Sequence, residues 1–86
     1  KAEFTVEKLD RNRWRVNGVL PVEDFQKVYP ALKGLQEVDT MGGLLVALKE
    51  VVPRVGESAT IDGLQLIAVV ADERRVRELV VKRSNR

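Results

Sequence analysis

Eighty-six residues, 44% of them apolar and 33% charged, describe one small soluble fold with a single core and exclude a disordered segment. The formal net charge of +2 is too small for the dense basic face of a nucleic-acid binder. Without cysteine or histidine, disulfide frameworks, thiol or imidazole catalysis and the usual zinc and haem ligand sets are all excluded.

In chain order, residues 4–9 alternate as a strand with Phe4 and Val6 on one side. Asp10, Arg11 and Asn12 supply turn chemistry, and Trp14 to Val16 alternates again, which makes a β-hairpin. Asn17-Gly18 closes it as the strongest local turn dipeptide. Pro21 suits the first helical position, with Glu23 and Asp24 where the dipole favours negative charge. Val22, Phe25, Val28 or Tyr29, and Leu32 form its apolar stripe, and Pro30 limits it to two or three turns. Residues 31–38 then read as a connector that carries Leu35 and Val38 into the core. The aromatic residues Phe4, Trp14, Phe25 and Tyr29 all fall among periodic apolar positions and are read as core.

Residues 39–53 organise the rest. Met41, Leu44, Leu45, Leu48 and Val52 recur on one helical face, with Asp39 or Thr40 as cap and Pro53 as stop. Leu45 and Leu48 are expected to be buried against a sheet. Strands follow at 59–61 and 64–70, joined by the Asp62-Gly63 turn. The second is apolar on both faces, Leu66, Ala68 and Val70 against Ile67 and Val69, as an interior strand would be. Val76, Leu79 and Val81 are spaced three and then two apart, so a bulge near Arg77-Glu78 is required to bring them to one face. The polar tail, residues 82–86, is expected to fray. The order β-β-α-α-β-β-β predicts an α+β fold, a mainly antiparallel sheet packed on two short helices.

The apolar run from Leu66 to Ala71 falls far short of the ~20 residues a membrane span needs. No signal-peptide pattern opens the chain, and its abrupt start in a strand suggests a piece, residues 1–86, of a longer protein.

Arg13-Trp14-Arg15-Val16-Asn17-Gly18, Pro21-Val22-Glu23-Asp24-Phe25, Asp39-Thr40-Met41-Gly42-Gly43-Leu44, Pro53-Arg54-Val55-Gly56-Glu57 and Asp62-Gly63-Leu64 occur in that order, followed by the Val76, Leu79, Val81 strand. Together they resemble the CorC/HlyC transporter-associated domain over nearly the whole chain. Leu20 stands before Pro21 where the family often has threonine or serine, so an apolar staple replaces a side-chain cap. The resemblance implies a C-terminal domain of membrane proteins that carry a transmembrane domain and a CBS pair, associated with magnesium and cobalt efflux and in some cases called haemolysin-like. It implies a location on the cytoplasmic side of the bacterial inner membrane. Related domains end certain cation/proton antiporters. The fold is similar to half of a FAD-binding domain, from which flavin or adenine-nucleotide binding is sometimes inferred by analogy.

Thr40, Gly42 and Gly43 are the candidate cofactor-binding residues, because a glycine-rich helix start can expose N–H groups to a phosphate. The competing reading is a close approach of backbones, and no phosphate-loop motif is present. Glu37, Asp39, Glu57, Asp62, Asp72 and Glu73 lack cation-loop spacing and read as solvated turn caps, so no metal site is expected. The arginines near the C-terminus, Arg75 and Arg77 foremost, are candidate contacts for an acidic partner or an anionic membrane surface; a charged edge that resists aggregation explains them equally. No nucleophile is paired with a base. Taken with the resemblance, which implies the CBS pair and the membrane domain as partners, this reads as a non-enzymatic accessory domain that contacts them or a second copy, with a sensor of FAD or an adenine nucleotide as the alternative and no cofactor required.

Overall fold

The computed structural model describes residues 6–84. Its elements are β1 (Val6–Asp10), β2 (Arg13–Asn17), α1 (Val22–Gln26), α2 (Met41–Lys49), β3 (Ser58–Ile61), β4 (Leu64–Ala71) and β5 (Val76–Arg83). One antiparallel sheet runs β1-β2-β5-β4-β3, with both helices on one face. This is the α+β arrangement expected from the element order. The expected strand contribution of Phe4 lies outside the described residues.

The last strand sits at the centre and joins the two hairpins, so its register decides the core. Leu79 pairs with Ala68 and Glu78 with Val70, but Val76 pairs with Ala71, which leaves Arg77 as an extra residue. The expected bulge is therefore present, and Val76, Leu79 and Val81 are all buried. A second irregularity falls at Val69 on β4. It turns Val70 out to 39% exposure, although strict alternation had grouped it with the buried Leu66 and Ala68.

α1 is a single turn and a half, shorter than the periodicity predicts. Its cap position is Pro21, with no side-chain cap bond, and Leu20 beside it is fully buried. Phe25 meets Trp14 of β2 edge to face, with centroids 5.4 Å apart, and so ties the helix to the sheet. Tyr29 packs at the border of the core, while Val28 is exposed. Leu35 is also exposed rather than carried inward, because Gly34 and Glu37 both take positive φ and turn the connector along the surface.

α2 begins as expected, with Thr40 Oγ1 accepting from the Gly43 N–H at 3.1 Å. It ends earlier. Glu50 adopts the left-handed conformation, φ 67°, and donates its N–H to the Val46 carbonyl, closing the helix before Pro53 is reached. Val52 thus lies outside the helix, and Leu48 in its last turn is half-buried, whereas Met41, Leu44 and Leu45 have no exposure. Two turns of helix cannot hold a stripe that the sequence extends over three.

At the other end of the sheet, Asp62-Gly63 forms the β3–β4 turn with φ of 54° and 83°. The Asp62 carboxylate accepts from the Lys33 and Gly34 N–H groups at 2.8 and 3.2 Å, and Tyr29 donates to its carbonyl at 3.0 Å. The connector is thereby pinned to the hairpin. β5 continues through Arg83, whose N–H donates to the Asn12 carbonyl at 2.7 Å, so strand structure extends two residues into the segment expected to fray.

Of the two leucines expected to be buried, the shortened helix buries Leu45 fully and Leu48 only in part. Leu45→Ala should cost about 2–5 kcal/mol, the range for emptying a buried leucine site. Leu48→Ala should cost less than about 2 kcal/mol, because only part of its surface is removed from water. Urea denaturation of both variants checks the order, and a larger loss at Leu48 would reverse the assignment of the packed face.

Candidate functional site

Three backbone segments meet where α2 starts. The Gly18 N–H donates to the Arg77 carbonyl at 2.7 Å, and the Gly42 N–H donates to the Gly18 carbonyl at 2.8 Å. A β-carbon on Gly42 would lie 2.8 Å from the Val76 carbonyl oxygen and 2.9 Å from that of Gly18, and one on Gly18 would overlap the Val76 carbonyl outright. Both glycines are required by approach of main chain to main chain. The other N–H groups here are also engaged: Met41 donates to the Leu20 carbonyl at 2.8 Å, Gly43 to Thr40 Oγ1, and Val22 to the Asp39 carbonyl at 2.8 Å. The donors that a phosphate would need at this helix start are directed at the protein itself.

Beside this junction lies a groove of about 410 Å³, lined by Thr40, Gly42 and Gly43 on one side and by Arg74 and Arg75 on the other. The structure thus brings the cofactor candidates and Arg75 into one place. Val19, Val46, Ala47 and Val76 supply its apolar surface. Arg77 is directed elsewhere: its Nε donates to Asp72 Oδ2 at 2.7 Å. Arg74 was legible among the arginines near the C-terminus, whereas Val19 was not singled out from sequence. The turn at Asn17-Gly18 was legible, but its position against Arg74 follows only from the β2–β5 pairing.

The arginine-bearing turn is held by one carboxylate. Asp72 Oδ1 accepts from the Arg74 and Arg75 N–H groups at 2.8 and 3.0 Å, while Oδ2 accepts from Arg77. The Arg74 amide first, then the Arg77 guanidinium and the Arg75 amide, hold this carboxyl down at about 2 from its ordinary 3.8. Asp10 is lowered in the same way, by the Asn12 amide and then the Arg13 side chain. Glu57 likewise accepts from the Arg54 N–H at 2.9 Å. Of the acids weighed as cation ligands, Asp62, Asp72 and Glu57 are thus turn clamps. Among the described residues no three acidic side chains converge, and no polar or charged side chain is buried.

A larger cleft, about 730 Å³, opens at the opposite end of the sheet between the Asn12, Asp62-Gly63 and Arg83 segments. Its arginine is committed: the Arg83 guanidinium lies 5.9 Å from the Trp14 ring centroid and reaches Asn12 Oδ1 at 3.3 Å.

Comparison with known proteins matches residues 7–85 to the family model of the CorC_HlyC transporter associated domain. The magnesium and cobalt efflux protein CorC of Escherichia coli is 36% identical over 75 residues, which are 87% of this chain and 26% of that protein. The chain therefore spans about a quarter of the length of the curated relatives it matches. Among solved structures, a CorC-associated region from Neisseria meningitidis superposes with a TM-score of 0.84 at 31% identity, covering 91% of this chain and 96% of that one. A CorC_HlyC domain of a Xylella fastidiosa haemolysin gives 0.80 at 25% identity, covering 99% and 100%.

Two outcomes follow from the junction and its clamp. Gly42→Ala should destabilise by about 1–3 kcal/mol, as forced overpacking does, because the obstructing atoms are backbone. Gly43→Ala should be milder: its β-carbon meets side chains alone, Thr40 Oγ1 at 2.9 Å and Val38 Cγ1 at 3.8 Å, and a helix gains about 1 kcal/mol from alanine over glycine. Equal losses in urea melts would remove the close-approach account. For Asp72, the folded pKa lies below the ordinary value, so its stabilisation is full above pH 3.8 and disappears as pH falls through about 2. The difference in urea midpoint between the parent and Asp72→Asn should be present at pH 5 and shrink towards pH 2; a difference independent of pH would separate the clamp from this carboxylate.

Proposed function

From the premise that this chain belongs to the CorC/HlyC transporter-associated domain family, we propose that it is the non-enzymatic accessory and regulatory domain of a CBS-pair membrane transporter of the magnesium and cobalt efflux type. It acts by protein contact, with its own CBS pair, the membrane domain or a second copy, on the cytoplasmic side of the inner membrane. The observation that carries this reading is the match to CorC over 87% of the chain but 26% of the relative, which is the proportion of a module within a larger transporter. The side-chain inventory supports it: polar chemistry is spent on turns, the core is apolar, and the free charge is on the surface. No helix among the described residues is long and apolar enough to cross a membrane, so membrane spanning falls to other parts of such a protein.

Arg75 and Arg77 are the proposed contact residues. Both are exposed at one end of β5, and guanidinium groups suit carboxylates on a partner. Rim charges of this type set specificity and association rate more than affinity. Serine at both positions should leave the far-UV spectrum intact and lower the thermal transition only by the lost Arg77–Asp72 pair. It should weaken association with the remainder of the transporter severalfold, an effect that fades as salt rises. Unchanged pull-down and unchanged ion transport in the folded double variant would remove these residues from the interface.

A further inference from the structure

The groove beside α2 combines three properties. Its floor, formed by Val19, Val46, Ala47 and Val76, is aliphatic, and Val19 stays 43% exposed. Its rim carries Arg74 and Arg75, whose side chains make no hydrogen bond or ion pair among the described residues, while their backbone N–H groups are fixed by Asp72. Its remaining wall is the Gly18–Gly42 junction, where the N–H groups are already consumed. Such a surface offers dispersion contact and two positive charges, but no convergent hydrogen-bonding groups of the kind that fix a small molecule.

We infer that this groove docks an acidic protein segment, one that inserts an aliphatic side chain against Val19 and Ala47 and sets flanking carboxylates on Arg74 and Arg75. The inference rests on the protein-contact reading above and gives that contact a place and a chemistry, in which Arg75 is kept and Arg74 takes the part given there to Arg77. Charge complementarity selects the occupant: an apolar floor rimmed by two uncommitted guanidiniums matches an aliphatic residue between acids. A membrane surface fits less well, because Asp72 and Glu73 stand in the same turn as the arginines and interrupt any uniform positive face. Arg77, paired with Asp72, is not part of the groove.

The test uses the 86-residue chain labelled with ¹⁵N, a unit matching the whole of a separately solved Xylella fastidiosa domain, and a dispersed amide spectrum of the free chain is its first requirement. The probe is an acetylated octapeptide of glutamates flanking a central leucine-valine pair. Its glutamine counterpart and phosphatidylglycerol vesicles serve as the other arms. The acidic peptide should shift the amides of Gly18, Gly42, Ala47 and Arg75 saturably. The glutamine peptide should bind roughly fivefold or more weakly, as the loss of two exposed charge pairs implies. Arg74→Glu with Arg75→Glu should abolish the shifts, and Arg77→Ser should retain them. A folded spectrum without saturable shifts at millimolar peptide, equal binding of the glutamine peptide, or a response to vesicles alone would each overturn the proposal. The same variants, assayed for association with the remainder of the transporter, separate the two readings. Association that survives the double charge reversal sinks the groove and leaves protein contact standing. Peptide binding without any association does the reverse.

Discussion

The fold depends on a backbone contact that admits no side chain. Where Gly18 leaves β2 and Gly42 opens α2, two hydrogen bonds of 2.7 and 2.8 Å link the bulged strand β5, the β2–α1 loop and the helix start in series. That contact fixes how closely α2 lies on the sheet, and therefore whether Met41, Leu44 and Leu45 reach the layer formed by Val76, Leu79 and Val81. The bulge at Arg77 contributes to the same arrangement: the carbonyl that receives the Gly18 N–H belongs to the extra residue. A small domain has little burial to spare, so a junction that brings two layers into contact has disproportionate weight.

What the sequence discloses and what it hides divide along the same line. Local patterns carried the element order, a cap at Asp39 or Thr40, the Asp62-Gly63 turn and the bulge required by Val76, Leu79 and Val81, because each is settled within a few residues of chain. The extent of α2 was hidden. Its stop is a left-handed Glu50 three residues before Pro53, and nothing in a run of apolar residues announces a positive φ. Leu48 falls in the last turn, and Val52 keeps the helical spacing after the helix itself has ended. The irregularity at Val69 was hidden too, since an uninterrupted aliphatic strand gives alternation no contrast. For Gly42-Gly43 the sequence left two readings open. The choice between phosphate donor and close approach turns on where Val76 and Gly18 lie, which is tertiary information.

The candidate site shows the same division more sharply. Arg75 was legible as an exposed cation, but Arg75 and Arg77 looked equivalent in sequence, two apart at the start of one strand. The structure distinguishes them through Asp72. One carboxylate oxygen holds the Arg74 and Arg75 amides and the other engages the Arg77 guanidinium. A single acid thereby fixes the backbone of two arginines while neutralising the side chain of a third. Placing a charge by bonding its amide leaves the guanidinium available and reduces the freedom of the loop that presents it.

This arrangement bears on how strong any contact through the groove needs to be. Two rim charges and a shallow aliphatic floor support only a weak bimolecular affinity, since exposed ion pairs contribute about 0–1 kcal/mol each. In the proposed setting the partner surface belongs to the same transporter, as the chain spans about a quarter of the length of its CorC relative. Tethering turns a bimolecular encounter into an intramolecular one, at an effective concentration of about millimolar for a short flexible linker. A contact with a dissociation constant in that range is then near half-occupied. A domain held near half-occupancy responds most steeply to small free-energy changes elsewhere in the molecule. Weak, charge-set docking is in that sense suited to a regulatory module, and a tight interface at the same site would leave the equilibrium with nowhere to move.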